Sequence, residues 1–479
     1  MKRPVRAAVL VALSTPLVSL AAQARTLSAA DSALIGRILL AEDRRDSTDR
    51  ALVEGRRHSD ERVRVLARRA AQRVTDPKFT RRASLPALLA PTVWPEPAWR
   101  LRYRALATVR DDCSALRTAL ADSVWPVRLR AADLITPQCA ADDSLASALR
   151  RWVEAVPADA SRRTSGNVSW HAAAHALVAL ARIRPTEAHP RVRGLARHAE
   201  WQLRMYAARA AAVLSDTATL RTLARDENDN VKEVAIESLT KLTGHADDEI
   251  FLAVLKADGA QAVRAAAIAL KGSPHAEVAA AASTTFERWV ARANASERDA
   301  RVALLEAAGR PVSDDRPPPI RVELPPQAVA LALGADRRLR VTMAPSSGGG
   351  SFVVRLRGDV APMMAARIFA LARSGYYDGL SWHRVEHDFV IQGGSPGANE
   401  YVGLAQYLRD ELGSVPHVRG TIGMSTRGHD TGDAQWFINL KDNLRLNGDY
   451  TVFAEVVEGI DVVDGILEGD VMAKVTVEK

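Results

Sequence analysis

Three sets of residues have types and spacings that could do chemistry. Arg384 stands directly after His383, five residues before Phe389 and eight before Gln392, within a run of short β-type segments. A lone arginine in such a segment is ordinarily a surface ion-pair partner, and this company favours a functional role instead. His171 and His175 are four apart, so one helical face could present both to a metal. No His-Glu dipeptide occurs anywhere, and packed or surface positions are the expectation for both histidines. Cys113 and Cys139 are the only cysteines. An even count in an exported chain permits one disulfide, with two buried thiols as the alternative. With no CxxC and no Cys/His cluster, zinc chemistry is disfavoured and no metal is expected.

The elements that position these residues differ along the chain. At 479 residues, 47% hydrophobic and 25% charged, the chain reads as roughly three domains of ordinary soluble composition. Disordered, collagen-like and coiled-coil classes are excluded. Net charge is +8, and only 9 of the 65 cations are lysine, a codon-like bias that says little about nucleic acid, so no nucleic-acid partner is expected. Residues 351–479 carry −6 and residues 25–350 carry +11. That basic middle could meet an anionic surface, but solvated helix faces are the simpler reading. Residues 1–24 have the form of a secretory signal. Lys2, Arg3 and Arg6 precede an apolar Ala7–Ala21 stretch, and Ala22-Gln23-Ala24 is a small-x-small cleavage site. The expectation is an exported, periplasmic protein with no transmembrane span after signal cleavage.

From about residue 60 to 310 one pattern recurs: an aliphatic residue, a basic residue, two more, then alanine. It appears at Val63–Ala67, Leu101–Ala105, Val127–Ala131, Leu203–Ala207, Val231–Ala235 and Val263–Ala267. The aliphatic and the alanine share a helical face, and alanine lets neighbouring helices approach closely. The pattern resembles HEAT-type repeats. That resemblance implies an α-solenoid over residues 25–310, with a concave face able to dock a client or a protein partner. It implies no reaction by itself.

Proline-rich residues 311–334 break the helical period and read as a semi-rigid linker. Strand-like runs follow at Leu339–Met343 and Phe352–Leu356, then a helix from Pro362 to Ser374. Five ordered motifs come next: Gly375–Val385, Phe389–Gly394, Arg419–Ser425, Thr431–Ile438 and Leu446–Phe453. From about residue 335 to 479 they resemble the cyclophilins, a peptidyl-prolyl cis-trans isomerase family. The resemblance implies an eight-stranded antiparallel β-barrel capped by two helices, acting without cofactor or covalent intermediate on proline-containing polypeptides. Arg384 matches the catalytic arginine and Gln392 the amide that orients it. Phe389, Val390, Met424, Phe437 and Leu446 match the proline pocket, and Tyr450 falls where it could close that pocket. Ser425 and Thr426 match the peptide-pairing strand, and Gln435 a polar groove position. Departures are Val390 in place of a common Met, which implies a shallower pocket, and Arg445 in place of a Trp. Glu386-His387-Asp388 replaces a Pro-containing turn, and Trp436 replaces a Phe.

The sequence therefore reads as a multidomain α plus β chain, a helical solenoid followed by an isomerase barrel. The other reading is a scaffold that binds proline-containing segments without turnover.

Overall fold

The computed structural model describes residues 27–78, 91–156, 169–316, 320 and 323–478. The signal-like residues 1–24 lie outside them, as do residues 317–319, 321 and 322 of the proline-rich stretch; the stretch expected as a linker ends in a short buried helix, Ala328–Ala332. Up to Ala307 the described residues form helices joined by short turns. Helices Trp125–Leu134, His171–Ile183, Trp201–Val213, Asp229–Thr243, Ala260–Leu270 and Arg298–Ala307 stack, each on the next. The recurring pattern explains why. Val127, Ala131, Leu203, Ala207, Val231, Ala235, Val263 and Ala267 are all buried at the contacts. Each buried Val or Leu contributes about 1.5–3 kcal/mol.

The basic residue of the pattern has a different task. The Arg204 guanidinium donates backward to the carbonyls of His198 and Ala199 at 2.9 and 3.0 Å, and forward to Asp226. Arg64 does the same to His58 and Ser59 at 2.6 and 2.8 Å, and Arg128 to Asp122. These arginines fix the turn that precedes their own helix. The Leu101 copy breaks the rule. Leu101 is 64% exposed because the short helix Trp99–Ala105 buries Arg100 instead, so this match is not a stacked unit.

Cys113 and Cys139 form a disulfide between the start of helix Cys113–Ala119 and the 3-10 turn Pro137–Ala141. It closes a 26-residue separation, for which chain entropy gives about 3–4 kcal/mol. Replacing both cysteines with serine is expected to lower the unfolding free energy of the helical region by that much, read as a lower urea midpoint. An unchanged midpoint in urea would refute it.

The second half is one antiparallel sheet. Its strands are β1 (Arg338–Met343), β2 (Ser351–Leu356), β3 (Arg384–Val385), β4 (Val390–Gly393), β5 (Thr421–Met424), β6 (Trp436–Asn439), β7 (Val452–Glu458) and β8 (Met472–Val477), in the order β3-β4-β6-β5-β7-β2-β1-β8. The two edges meet just before β3 and β8. Ser381 bridges Val471, and the Trp382 N–H donates to the Asp470 carbonyl at 2.8 Å. Helix Pro362–Arg373 packs on β7 and β8, and helix Ile460–Asp464 on β2. This is the expected barrel with two helices. Its interior holds Phe352, Trp382, Trp436 and Phe453, all fully buried.

Helices and barrel are in direct contact. Ile35, Ile38, Leu66 and Ala70 from the first three helices belong to the same hydrophobic core as Leu356, Met364 and Ala454 of the barrel. Glu42 accepts from Arg69 at 2.9 Å and from Arg73 at 2.6 Å, with all three side chains about 5% exposed. The same guanidiniums reach the barrel, Arg69 to the Asp359 carbonyl and Arg73 to those of Val360, Glu411 and Leu412. Arg45 makes a two-pronged pair with Asp430 at 2.6 Å. Further along, Trp94 donates to the Val456 carbonyl, Tyr206 to Glu468, and Asn230 to the Gly397 carbonyl.

Candidate active site

Strand register assembles the site. Arg384 on β3 lies opposite Gln392 on β4, and Gln392 lies opposite Phe437 on β6. Phe437 in turn faces Gly423 on β5. A guanidinium, an amide and a phenyl ring thus stand in one row on one face of the sheet. Side chains alternate along a strand, so Ile391, Ile422, Trp436 and Ile438 point the other way into the barrel.

Beside this row is a pocket of about 140 Å³. Val390, Phe437 and Leu446 form its buried apolar floor, with Phe389 and Tyr450 partly buried at its edge. Arg384, Gln392, Ser425 and Thr426 also line it. Two expected residues do not. Met424 is fully buried within the barrel, against Gly432 and Met364, because it shares the inward parity of Ile422. Its expected pocket role is corrected accordingly. Gln435 sits behind the pocket, where it accepts from Gln392 at 3.2 Å and donates to the carbonyls of Glu400 and Val402 at 3.1 Å. It holds the loop and the Gln392 amide rather than lining the groove.

Sequence reasoning missed Glu400 and Arg427, which also line the pocket. Arg427 directly follows Thr426 and extends the same segment. Glu400 comes from a turn-rich loop with no spacing signal. Sequence reasoning also missed His417, whose ring stacks on Phe437 with centroids 5.7 Å apart. The Asn439 amide donates to His417 Nδ1 at 3.1 Å, so the proton sits on Nε2 and is donated to the Tyr450 carbonyl, also at 3.1 Å.

The Arg384 side chain is 38% exposed. Its Nε and Nη2 donate to Glu386 Oε1 at 2.9 and 2.5 Å, and Nη1 lies 3.6 Å from Glu400. Its Cζ is 6.0 Å from the Phe389 ring centre. A half-exposed ion pair is worth roughly 0–1 kcal/mol, so another acceptor can displace it. His171 and His175 belong elsewhere. His171 contacts the Glu468 carbonyl, and His175 bridges Asp133 and Tyr206.

Gly423 makes room for the pocket wall. A Cβ there would lie 2.7 and 2.8 Å from the Phe437 Cε atoms, closer than packed atoms tolerate. Gly423→Ala is therefore expected to push the ring into the pocket, costing about 1–3 kcal/mol of stability and raising KM for any ligand held there. Unchanged KM and melting behaviour would refute it.

Acid acts through buried imidazoles. Burial lowers His417 to about 4, and burial with the nearby Arg100 charge lowers His387 to about 3. His387 is packed between Trp99 and Tyr103 at the join of helices and barrel. Both pKa values lie below the unfolded value near 6.5, so the stability these groups contribute is full above pH 6.5 and is lost as pH falls toward 4 for His417 and toward 3 for His387. By pH 5 the loss is about 2 kcal/mol for each. Denaturant midpoints should fall over this window, and His417→Gln should reduce the slope by about one proton. A flat profile between pH 6.5 and 5 contradicts this.

Comparisons with known proteins agree with the geometry. Residues 340–479 match the family described as cyclophilin type peptidyl-prolyl cis-trans isomerase/CLD. Peptidyl-prolyl cis-trans isomerase B of Bacillus subtilis is 37% identical over 132 residues, 27% of this chain and 92% of that protein. Peptidyl-prolyl cis-trans isomerase of Helicobacter pylori is 36% identical over 130 residues, 26% of this chain and 80% of its own length. Peptidyl-prolyl cis-trans isomerase ppi1 of Schizosaccharomyces pombe is 37% identical over 118 residues, 24% of this chain and 76% of its own.

Proposed function

We propose that this chain, which belongs to the cyclophilin-type peptidyl-prolyl cis-trans isomerase family, turns over X–Pro bonds with Arg384 as its electrophilic group and acts on polypeptides outside the cytoplasm. The X–Pro bond turns slowly because amide resonance must be broken, with a barrier of about 20 kcal/mol. In the twisted transition state the prolyl nitrogen gains lone-pair density and the carbonyl on its N-terminal side swings free. A fixed cationic fork beside the ring stabilises that state more than either planar one, and only this difference accelerates the reaction. The apolar floor of Val390, Phe437 and Leu446 holds the proline ring. Gln392, itself held by Gln435, keeps the polar side of the pocket in place. Glu386 holds Arg384 until the substrate replaces it.

The observation that carries this reading is the row Arg384–Gln392–Phe437 across three paired strands. In that row the donor and the apolar wall stand on either side of the Gln392 side-chain amide. The experiment is NMR exchange on an Ala-Pro peptide with wild type and Arg384→Ala. Accelerated exchange with wild type alone supports the mechanism. Equal rates at the uncatalysed level would instead support a binding scaffold.

Export is supported by the signal-like residues 1–24 and by the Cys113–Cys139 disulfide, a bond that persists in oxidising compartments. Mass spectrometry of a periplasmic fraction should find a mature N-terminus at Arg25, and a full-length cytoplasmic product would refute it. The stacked helices are proposed as HEAT-like units that present a client or partner surface next to the barrel.

A further inference from the structure

A second cavity adjoins the pocket. It has a volume of about 430 Å³ and lies between helices Trp201–Val213 and Asp229–Thr243 on one side and the barrel segments Ser381–Val385 and Ala398–Tyr401 on the other. Arg384 and Glu400 line both cavities, so the cleft opens directly beside the reacting bond. Its walls are rich in hydrogen-bond acceptors. Glu233, which accepts from Gln261 and from Arg264 at 3.3 Å, and the exposed Glu237 face it from the helices, and Glu400, 3.6 Å from Arg384, faces it from the barrel. The cleft cations are already engaged. Arg384 is paired with Glu386, and Arg209 is stacked on Tyr206 with its Cζ 4.3 Å from the ring centre.

Two further side chains point to a donor ligand. Gln202 and Gln261 line the cleft at 9% and 3% exposure, and the Oε1 of each has no hydrogen-bond partner among the described residues. Buried acceptors left in this way cost about 1–3 kcal/mol unless a donor arrives. Burial, with the Glu237 and Glu400 charges adding to it, pushes the Glu233 carboxyl up to about 7. Carboxylates that disfavour one another's ionisation gain from a cation placed among them.

We infer that this cleft between helices and barrel binds the client segment flanking the isomerised proline and selects segments carrying a lysine or arginine close to it. The inference rests on the isomerase reading above, since it needs a proline seated in the smaller pocket. It also gives the helical half a direct part in substrate choice. An extended chain advances about 3.3 Å per residue, so the basic residue falls within a few positions of the proline.

The test uses the full chain and synthetic Ala-Pro peptides flanked by alanine, with one lysine or one glutamate moved over roughly four positions on each side. Rates are read by NMR exchange at low salt. At the position that reaches the cleft, lysine is expected to raise kcat/KM about tenfold over alanine, with glutamate lowering it. The Glu233→Gln/Glu237→Gln double variant should cut the lysine-to-glutamate ratio to within about twofold, and 0.5 M salt should weaken it in wild type. Equal rates for lysine, alanine and glutamate peptides at every position would overturn the inference. So would a lysine preference that survives the double variant. If wild type fails to accelerate even the all-alanine peptide, the isomerase reading itself falls, and this inference with it.

Discussion

Arg384→Ala is expected to lower kcat/KM for an X–Pro peptide by about 10²–10³, equivalent to roughly 3–4 kcal/mol of transition-state stabilisation. The loss should fall mainly on kcat. The substitution leaves in place the apolar floor of Val390, Phe437 and Leu446, which is proposed to hold the proline ring. Arg384→Lys keeps the charge but replaces a planar fork with a single flexible ammonium, so it should recover only part of the rate. Folding is not at stake, because the wild-type guanidinium is 38% exposed and its ion pair with Glu386 contributes little. A kcat within threefold of wild type for Arg384→Ala would remove the arginine from the mechanism.

The second large effect is on stability. Glu42→Ala is expected to cost about 3–5 kcal/mol, because it leaves the Arg69 and Arg73 guanidiniums buried without their shared counter-charge. Burial pushes the Glu42 carboxyl up, but the two arginines outweigh burial and hold it below its ordinary range. Both arginines also bond barrel carbonyls, so the loss should appear in the barrel as well as in the first three helices. Hydrogen exchange should therefore quicken in helix Pro362–Arg373, on the far side of the contact. Glu54 pairs with Arg37 at the surface, and Glu54→Ala should cost under about 1 kcal/mol. Similar losses for the two variants would show that the buried network has no special weight.

The site was legible in the sequence wherever side chain and motif coincide. Arg384, Phe389, Gln392, Phe437 and Leu446 stand in short contiguous blocks, and strand pairing brings those blocks together. Met424 was misplaced although period-2 alternation with Ile422 already assigns it to the inner face. Gln435 was read as groove-lining because a motif does not tell a first contact from the residue behind it. Glu400 and His417 were invisible because they arrive by loops whose path depends on the rest of the barrel. The helical period was readable from Val63 to Ala267, but the Leu101 copy shows that a five-residue pattern can occur with its face outward. Least legible was the contact between the two halves. Much of its polar part is arginines reaching carbonyl oxygens, and main-chain acceptors leave no trace in residue type.

The core shared by the first helices and the barrel also sets an order of assembly. Ile35 and Ile38 leave the ribosome early, yet their barrel neighbours lie some three hundred residues later. β1 pairs with β8, so the sheet itself stays incomplete until the last strand is made. The middle helices contact their sequence neighbours and can form as they emerge, whereas the two ends of the chain must wait for each other. Until then the part of the apolar stripe on helix Ala29–Arg44 that helices Arg50–Arg56 and Glu61–Thr75 do not cover stays exposed, which lengthens the interval in which a newly made chain can aggregate.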